Sequence, residues 1–379
     1  MKTKKFIIPV LLVFVLSFFA ASDLMAQKKK KKAEEETPAM IIIPQPVKTA
    51  IESGIQTKES RMDIPFEITD YLYLPTRENM HSIFILKIKN ADLGFMPLPA
   101  KPEEAPAGTE EAPAGEEAPA QETPEESEEE ISGLYASGHL FLQINTVTDG
   151  AVGDLVKEVY IPYNFQLEST DYNPDGEDYY TVGYPLFAGD YLVSLAMASP
   201  TLDKIGIQYL ECSMPDMAAF TDTMETTPVF FMNSMERMTA PESQAELHKG
   251  CLTYSVLKIT PSFTKEFSPG ETLEAMFFIF GTEPGADGRY QIDVKFTIMK
   301  EDTAIIRYAP GSYENPFISQ PLPLKRTVIV RTTKGEETTE KQEIQDIESG
   351  DYSLTIDIAD KASGKTLQHK VDFTVLEKE

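Results

Sequence analysis

The chain lacks the residues and motifs on which most enzymes depend. It contains no tryptophan, two cysteines and four histidines in 379 residues, and the histidines are scattered singly. It has no Gly-x-Ser-x-Gly nucleophile elbow, no His-Glu-x-x-His motif and no glycine loop that could cradle a phosphate. The sequence therefore predicts a protein that is not an enzyme and uses no cofactor.

Basic residues are also scarce. Lysine and arginine number 34 against 61 aspartates and glutamates, which gives a formal net charge of −27 at pH 7. A surface of this sign repels the phosphates of nucleic acids and of anionic lipids. We therefore expect neither nucleic acid nor an anionic membrane surface as a partner.

Long apolar runs are absent except near the N-terminus. One run from Phe6 to Ala21 follows three lysines and precedes small residues just before Gln27. This order is typical of a secretory signal peptide, which we predict over residues 1–26, with an uncleaved membrane anchor as the alternative. We expect an exported protein, periplasmic or extracellular, without stable membrane insertion after cleavage.

Two stretches have the composition of disordered chain. Residues 27–54 begin with lysines, continue with glutamates and form a predicted charged leader. Residues 97–131 repeat the unit Glu-Glu-Ala-Pro-Ala and contain no aromatic residue. Such a stretch cannot bury enough apolar surface to offset the entropy of ordering, so it predicts a disordered acidic insertion. A tolerated surface loop explains it, and a spacer or a lure for basic partners or cations is the alternative.

One phrase occurs twice in the chain. Gly-Asp-Tyr stands at 189–191 and again at 350–352, and each copy leads into a stretch whose alternate residues are apolar. A tyrosine at such a corner, with its hydroxyl bonded back to nearby backbone, is a hallmark of immunoglobulin-like sandwiches. The sequence predicts an all-β protein with two tandem immunoglobulin-like β-sandwich domains, over residues 55–212 and 251–379. A methionine-rich connector over residues 213–250 is expected to join them.

Several short motifs resemble those of one family. Cys-Ser-Met-Pro-Asp at 212–216 follows the first Gly-Asp-Tyr strand, Phe-Ser-Pro-Gly-Glu stands at 267–271, and Asp-Lys-Ala-Ser-Gly-Lys at 360–365 follows the second. This order is similar to the non-catalytic β-rich portions of exported bacterial proteins that carry a GWxTD domain or a von Willebrand factor A-related domain. The GWxTD pentapeptide and the Asp-x-Ser-x-Ser metal site are absent. The resemblance therefore implies the sandwich pair alone, without catalytic residues.

Function is then expected to lie in binding surfaces. The leading interpretation is a protein-interaction or scaffold module of the bacterial cell envelope, which binds an envelope or extracellular protein through end loops or strand edges. A glycan-binding module is an alternative, because tyrosines can stack on sugars. The candidate residues lie on two predicted loops, 171–184 and 310–323. They are Tyr179, Tyr180, Tyr184, Tyr313, Phe317 and Ile318.

A calcium site is one of two metal hypotheses. Asp171, Asn173 and Asp175 copy the start of an EF-hand loop, in which oxygen ligands alternate before a glycine turn. The twelfth position is Val182, where the loop needs a glutamate. A polar hairpin loop explains the same residues.

The predicted connector contains the second metal hypothesis. Met232, Met235 and Met238 are spaced by three and offer thioethers, which suit Cu(I), although methionine also fills irregular apolar gaps. Cys212 and Cys251 stand at the two ends of this segment. They are candidates for a disulfide, with two unpaired thiols as the equal alternative.

Overall fold

The computed structural model of the protein describes residues 42–98, 133–334 and 337–378, without the side chains of residues 332–339. Of these described residues 60% lie in strands and 7% in helices, which confirms the all-β fold class. The predicted signal peptide, most of the predicted leader and nearly all of the acidic insertion lie outside the described residues. The described residues from Gln45 onward form one compact unit.

The strands follow one helix, α1 (Gln45–Gly54). The first twelve strands are β1 (Arg61–Met62), β2 (Glu67–Pro75), β3 (Met80–Lys89), β4 (Met96–Pro97), β5 (Leu134–Thr148), β6 (Ala151–Leu167), β7 (Glu177–Leu186), β8 (Gly189–Ala198), β9 (Ile205–Met214), β10 (Glu225–Thr226), β11 (Phe230–Arg237) and β12 (Leu247–Lys249). The other twelve are β13 (Leu252–Tyr254), β14 (Leu257–Pro261), β15 (Glu266–Phe267), β16 (Thr272–Phe280), β17 (Ile292–Lys300), β18 (Thr303–Arg307), β19 (Gly311–Tyr313), β20 (Phe317–Pro323), β21 (Lys325–Lys334), β22 (Glu337–Asp346), β23 (Gly350–Asp360) and β24 (Thr366–Val375).

Helix α1 corrects the predicted disordered leader at its C-terminal end. Val47 and Ile51 lie four residues apart, so they share one face of the helix, and both are fully buried. The helix packs against β8 and β9, and its Ile51 carbonyl accepts a 2.7 Å hydrogen bond from the Tyr209 hydroxyl. Ten residues with so few apolar side chains give a weak periodic signal, because packing stabilises such a helix more than its own propensity.

The first sandwich consists of two antiparallel sheets. Its outer sheet runs β1-β9-β8-β5, and β4 and β6 also pair with β5. Its inner sheet runs β12-β7-β3-β2. Alternate residues of β5, such as Leu140 and Leu142, share the first core with Phe84 and Leu86 of β3. This is the arrangement of two packed sheets that the sequence predicted.

The second sandwich is built in the same way. In its inner sheet β16 pairs with β10, β11 and β20, and β11 continues through β14 to β13. Its outer sheet runs β15-β24-β23-β17-β18, with β19 also on β17. Phe277 of β16, Phe296 of β17 and Ile356 of β23 meet in the second core. The hairpin of β21 and β22 forms a separate two-stranded sheet.

The segment predicted as a connector contributes strands to both sandwiches. Strand β11 belongs to the second sandwich, where Phe231 is fully buried. The chain then returns, because β12 pairs with β7 in the inner sheet of the first sandwich. The connector prediction over residues 213–250 was therefore wrong for these strands. The chain enters the second sandwich, returns to the first and then enters the second again, so the two sandwiches are not consecutive in sequence.

The two inner sheets pack face to face. A third cluster, which we call the junction core, joins them; its buried members are Leu72, Leu74, Ile83, Ile85, Phe230, Met232, Leu252, Ile259 and Met276. Successive side chains of a strand point to opposite faces, so β3 sends Phe84 into the first core and Ile83 into the junction core. Burial on both faces explains why the sequence of β3 does not alternate.

Both predicted tyrosine corners are formed. The Tyr191 hydroxyl donates to the Phe187 carbonyl at 3.1 Å, and the Tyr352 hydroxyl donates to the Glu348 carbonyl at 2.8 Å. In each case the acceptor lies four residues before the tyrosine. The repeated phrase therefore marks the same local structure in both sandwiches.

Candidate functional site

A cleft of about 540 Å³ lies beside the junction core. Its floor is apolar and includes Leu72 and Ile85 from the first sandwich and Phe230 from the second. Its rim is polar, with Asp70 on β2 and Lys370 on β24. Apolar concavities with a few polar groups, placed between domains, are the usual form of a binding site.

Two open strand edges border this cleft. Strand β2 ends its sheet and pairs only with β3, with a β-bulge between Ile68 and Asp70. Strand β24 pairs with β15 only at Thr374 and Val375, so residues 366–372 leave one edge open among the described strands. Open edges carry backbone N–H and C=O groups that can pair with another chain.

An aromatic pair closes one end of the cleft. The rings of Tyr179 and Phe263 stack with their centroids 4.7 Å apart and their planes 7° apart. Both residues also line a second hollow of about 370 Å³, which contains Glu266 and Glu271. The aromatic pair therefore lines both the cleft and the neighbouring hollow and separates one from the other.

The rim of the cleft carries balanced charge. Asp70 and Asp372 are matched by Lys265 and Lys370, and Lys370 lies 3.9 Å from Asp372 in an exposed ion pair. His369 also lines the cleft, and burial lowers the pKa of its imidazole below the usual 6.5. The imidazole is therefore neutral at pH 7, and the cleft has no strong preference for either sign of charge.

The predicted loop 171–184 is mostly strand β7, which corrects the first group of binding residues. Tyr179 does line the cleft, but Tyr180 points to the opposite face and is fully buried in the first core. Burial raises the pKa of the Tyr180 hydroxyl, which has no hydrogen-bond partner among the described residues. Tyr184 is half-buried and lines a different hollow, with His81. These tyrosines therefore form no exposed platform for a glycan.

The predicted loop 310–323 is also largely strand, in β19 and β20. Ile318 is fully buried in the second core. The Tyr313 hydroxyl donates to Oε1 of Gln320 at 2.6 Å, and the ring of Phe317 lies 4.9 Å from that of Phe278. The prediction was therefore wrong for Ile318, which is not accessible, whereas Tyr313 and Phe317 are half-buried and their role in binding stays a prediction.

The residues of the calcium hypothesis are engaged with protein groups. Oδ1 of Asn173 accepts the backbone N–H of Asp175 at 3.1 Å, and its carbonyl accepts from Nδ2 of Asn90 at 3.0 Å. Asp175 forms a 2.8 Å ion pair with Lys89, whose hydrogen bond and charge lower the pKa of the carboxyl. Asn173 and Asp175 therefore already bond protein groups in a polar turn, and the calcium hypothesis stays a prediction.

The methionines of the copper hypothesis differ widely in burial. Met232 is buried in the junction core, whereas Met235 of the same strand is 40% exposed and Met238 is half-buried. The copper hypothesis therefore stays a prediction for Met235 and Met238. Met232 fills the gap between the sandwiches, as the alternative interpretation predicted.

The two cysteines are free, which corrects the candidate disulfide. Both are buried, Cys212 in the first core and Cys251 next to Thr181, whose hydroxyl donates to the Cys251 carbonyl at 2.6 Å. Burial raises the pKa of the Cys212 thiol to about 12 and also raises that of Cys251. Thiols with a raised pKa are poor nucleophiles and metal ligands.

Comparison with known proteins gives no family. No protein-family model matches the sequence, and no curated protein matches it either. The resemblance to GWxTD-associated sandwiches therefore stays a prediction. Within the described residues, no helix has the length and apolar character needed to cross a membrane.

Proposed function

We propose that the protein is a non-enzymatic, exported interaction module of the bacterial cell envelope that binds an extended segment of a partner protein. The observation that carries this proposal is the cleft, whose apolar floor is bordered by the open edges of β2 and β24. An extended peptide that pairs with such an edge gains main-chain hydrogen bonds and places alternate side chains in pockets.

The chemistry of the cleft defines the segment that would fit. Leu72, Ile85 and Phe230 offer apolar contact to every second side chain of a strand. The remaining side chains would face a rim where two lysines balance two aspartates. The partner segment is therefore an extended stretch with alternating apolar residues and little net charge, rather than an acidic or basic tail.

The proposed location and class rest on the sequence. The predicted signal peptide over residues 1–26 supports export, and the resemblance to GWxTD-associated sandwiches supports a non-catalytic role. The net charge of −27 disfavours nucleic acid as the partner. The open strand edges favour a protein over a glycan, because a glycan has no backbone that can continue a sheet.

Site-specific photo-crosslinking tests the proposal in living cells. A photoreactive phenylalanine analogue is placed in the cleft at position 70 or 370, and as a control at exposed position 154 on β6. We expect one partner to crosslink from both cleft positions and not from the control, with the crosslinked peptide showing alternating apolar residues.

A blocking variant makes the result decisive. Thr69→Trp places a large ring at the rim of the cleft, and Thr170→Trp makes the same change at an exposed position outside it. We expect crosslinking to fall at least tenfold in Thr69→Trp and to persist in Thr170→Trp. Equal crosslinking from the cleft and the control position, or an unchanged yield in Thr69→Trp, would show that the cleft is not the binding site.

A further inference from the structure

A second polar group lies on the segment that returns from the second sandwich to the first. Ligand atoms of Glu242, Glu246 and His248 all lie within 4.8 Å of one another. In the described part of the chain, this is the one group of three or more histidine, cysteine or acidic side chains that converge so closely. It shares no residue with the binding cleft.

The fold brings the three side chains together through strand β12. Leu247 is buried in the first core, so its neighbours Glu246 and His248 project to the opposite side of the strand. Pairing of His248 with Thr181 of β7 holds this part of the chain in register. Glu242 comes from the preceding loop and approaches the same imidazole.

The contacts leave one carboxylate without a partner. Nε2 of His248 lies 2.9 Å from Oε1 of Glu242, while Oε2 of Glu242 accepts a 2.8 Å hydrogen bond from the Thr253 hydroxyl. Glu246 forms no hydrogen bond or ion pair with any described residue, although its carboxylate lies within the same 4.8 Å group. Glu242 and Glu246 are both exposed and His248 is half-buried, so an ion from solvent can reach all three side chains.

We propose that Glu242, Glu246 and His248 bind a divalent transition-metal ion of the Zn²⁺ class. One imidazole and two carboxylates are ligands that Zn²⁺ accepts, and three protein ligands leave a fourth position for water. Thr253 already orients Glu242 from outside the group, which is the usual role of a residue in the outer shell of a metal site. The ion would tie the returning segment to β13, because Thr253 lies on that strand of the second sandwich.

Calorimetric titration of the full chain with Zn²⁺, after removal of metals by a chelator, tests this site. Glu246→Gln keeps the shape of the side chain and breaks no described bond, so we expect it to fold and to bind Zn²⁺ at least tenfold more weakly. His248→Gln removes the nitrogen ligand and should abolish measurable binding. His139→Gln is the matched control, because His139 lies beside Tyr160 in the outer sheet, away from the group.

A melting experiment gives a second readout on the same proteins. Zn²⁺ at a hundredfold excess over the wild-type Kd should raise the melting temperature of the wild type by about 5 °C, and that of Glu246→Gln by no more than about half as much. Zn²⁺ binding that is equally strong in Glu246→Gln, or weakened as much by His139→Gln, would overturn the proposal. So would a wild-type chain that binds no Zn²⁺, which would leave an ordinary His–Glu ion pair.

Discussion

The two sandwiches share a corner but differ in what covers their outer sheets. In both, the aspartate of Gly-Asp-Tyr accepts a side-chain hydrogen bond from the next strand, Asp190 from Ser213 and Asp351 from Thr374. Both tyrosine hydroxyls bond to a carbonyl four residues earlier. The strands that leave these corners, β8 and β23, are therefore equivalent in the two domains.

Their outer faces are not equivalent. In β8 every residue from Tyr191 to Ala198 is buried, because α1 packs over this sheet. In β23 the core-facing residues are buried, but the outer ones, such as Thr355 and Asp357, are half-exposed. The outward residues of β8 include Ser194 and Ala196, small side chains that let a helix approach. The comparison teaches that the corner determines the local turn, while the outward residues determine what packs on each sheet.

The largest effect on stability is expected in β3, the strand that contributes side chains to both the first core and the junction core. Ile83→Ala removes a buried side chain from the junction core, so we expect a loss of about 3 kcal/mol in the free energy of unfolding. Ile329→Ala makes the same chemical change at a position that is 58% exposed and should cost less than about 0.5 kcal/mol. Urea unfolding monitored by circular dichroism measures both. Equal losses would show that the inner sheets are not packed as described.

A smaller effect is expected from enlarging the face beneath the helix. Ala196→Leu adds a large side chain to a fully buried position on β8, so we expect a loss of about 2 kcal/mol through overpacking. Thr355→Leu, on the half-exposed outer face of β23, should change stability by no more than about 0.5 kcal/mol. If both variants unfold at the same urea concentration, the outer faces do not differ in the way that the structure indicates.

Removing each corner hydroxyl should have a still smaller effect. Tyr191→Phe and Tyr352→Phe each delete one hydrogen bond and keep the ring, so we expect each to lose about 1 kcal/mol. The pair tests whether the repeated phrase has the same energetic role in both domains. A difference above about 0.5 kcal/mol between the two urea curves would argue against that equivalence.

Local features of the fold could be predicted from the sequence. The Gly-Asp-Tyr corners depend on contacts four residues apart, and the alternation in β17 reflects a sheet with one buried face, so neighbouring residues carry the information. The same reasoning predicted the strands that leave the two corners, β8 and β23. It failed for β7, whose polar start was interpreted as a loop, and for β20, whose prolines hid an edge strand.

The candidate site could not be predicted in the same way. Tyr179 was identified, but Asp70, Phe263 and His369 come from distant parts of the chain and meet only because the inner sheets pack together. No spacing rule connects such positions. The available signal was the unbroken apolar run at residues 83–86, since a strand without alternation indicates burial on both faces.

The smallest effect that we expect is a dependence of stability on pH. Two histidines lie beside the junction core, and neither belongs to the first or the second core. Burial lowers the pKa of His81, and burial also lowers that of His369. Each folded-state pKa lies below the unfolded value of about 6.5, so the unfolded chain binds more protons, and stability should fall as the pH drops below 6.5. Melting temperatures from pH 7.5 to 5 measure this loss, and His81→Gln should reduce its slope, whereas His139→Gln on the outer sheet should not. If His81→Gln leaves the slope unchanged, the protons that cause the loss of stability bind to other groups. The pH dependence would then not come from the histidine beside the junction core.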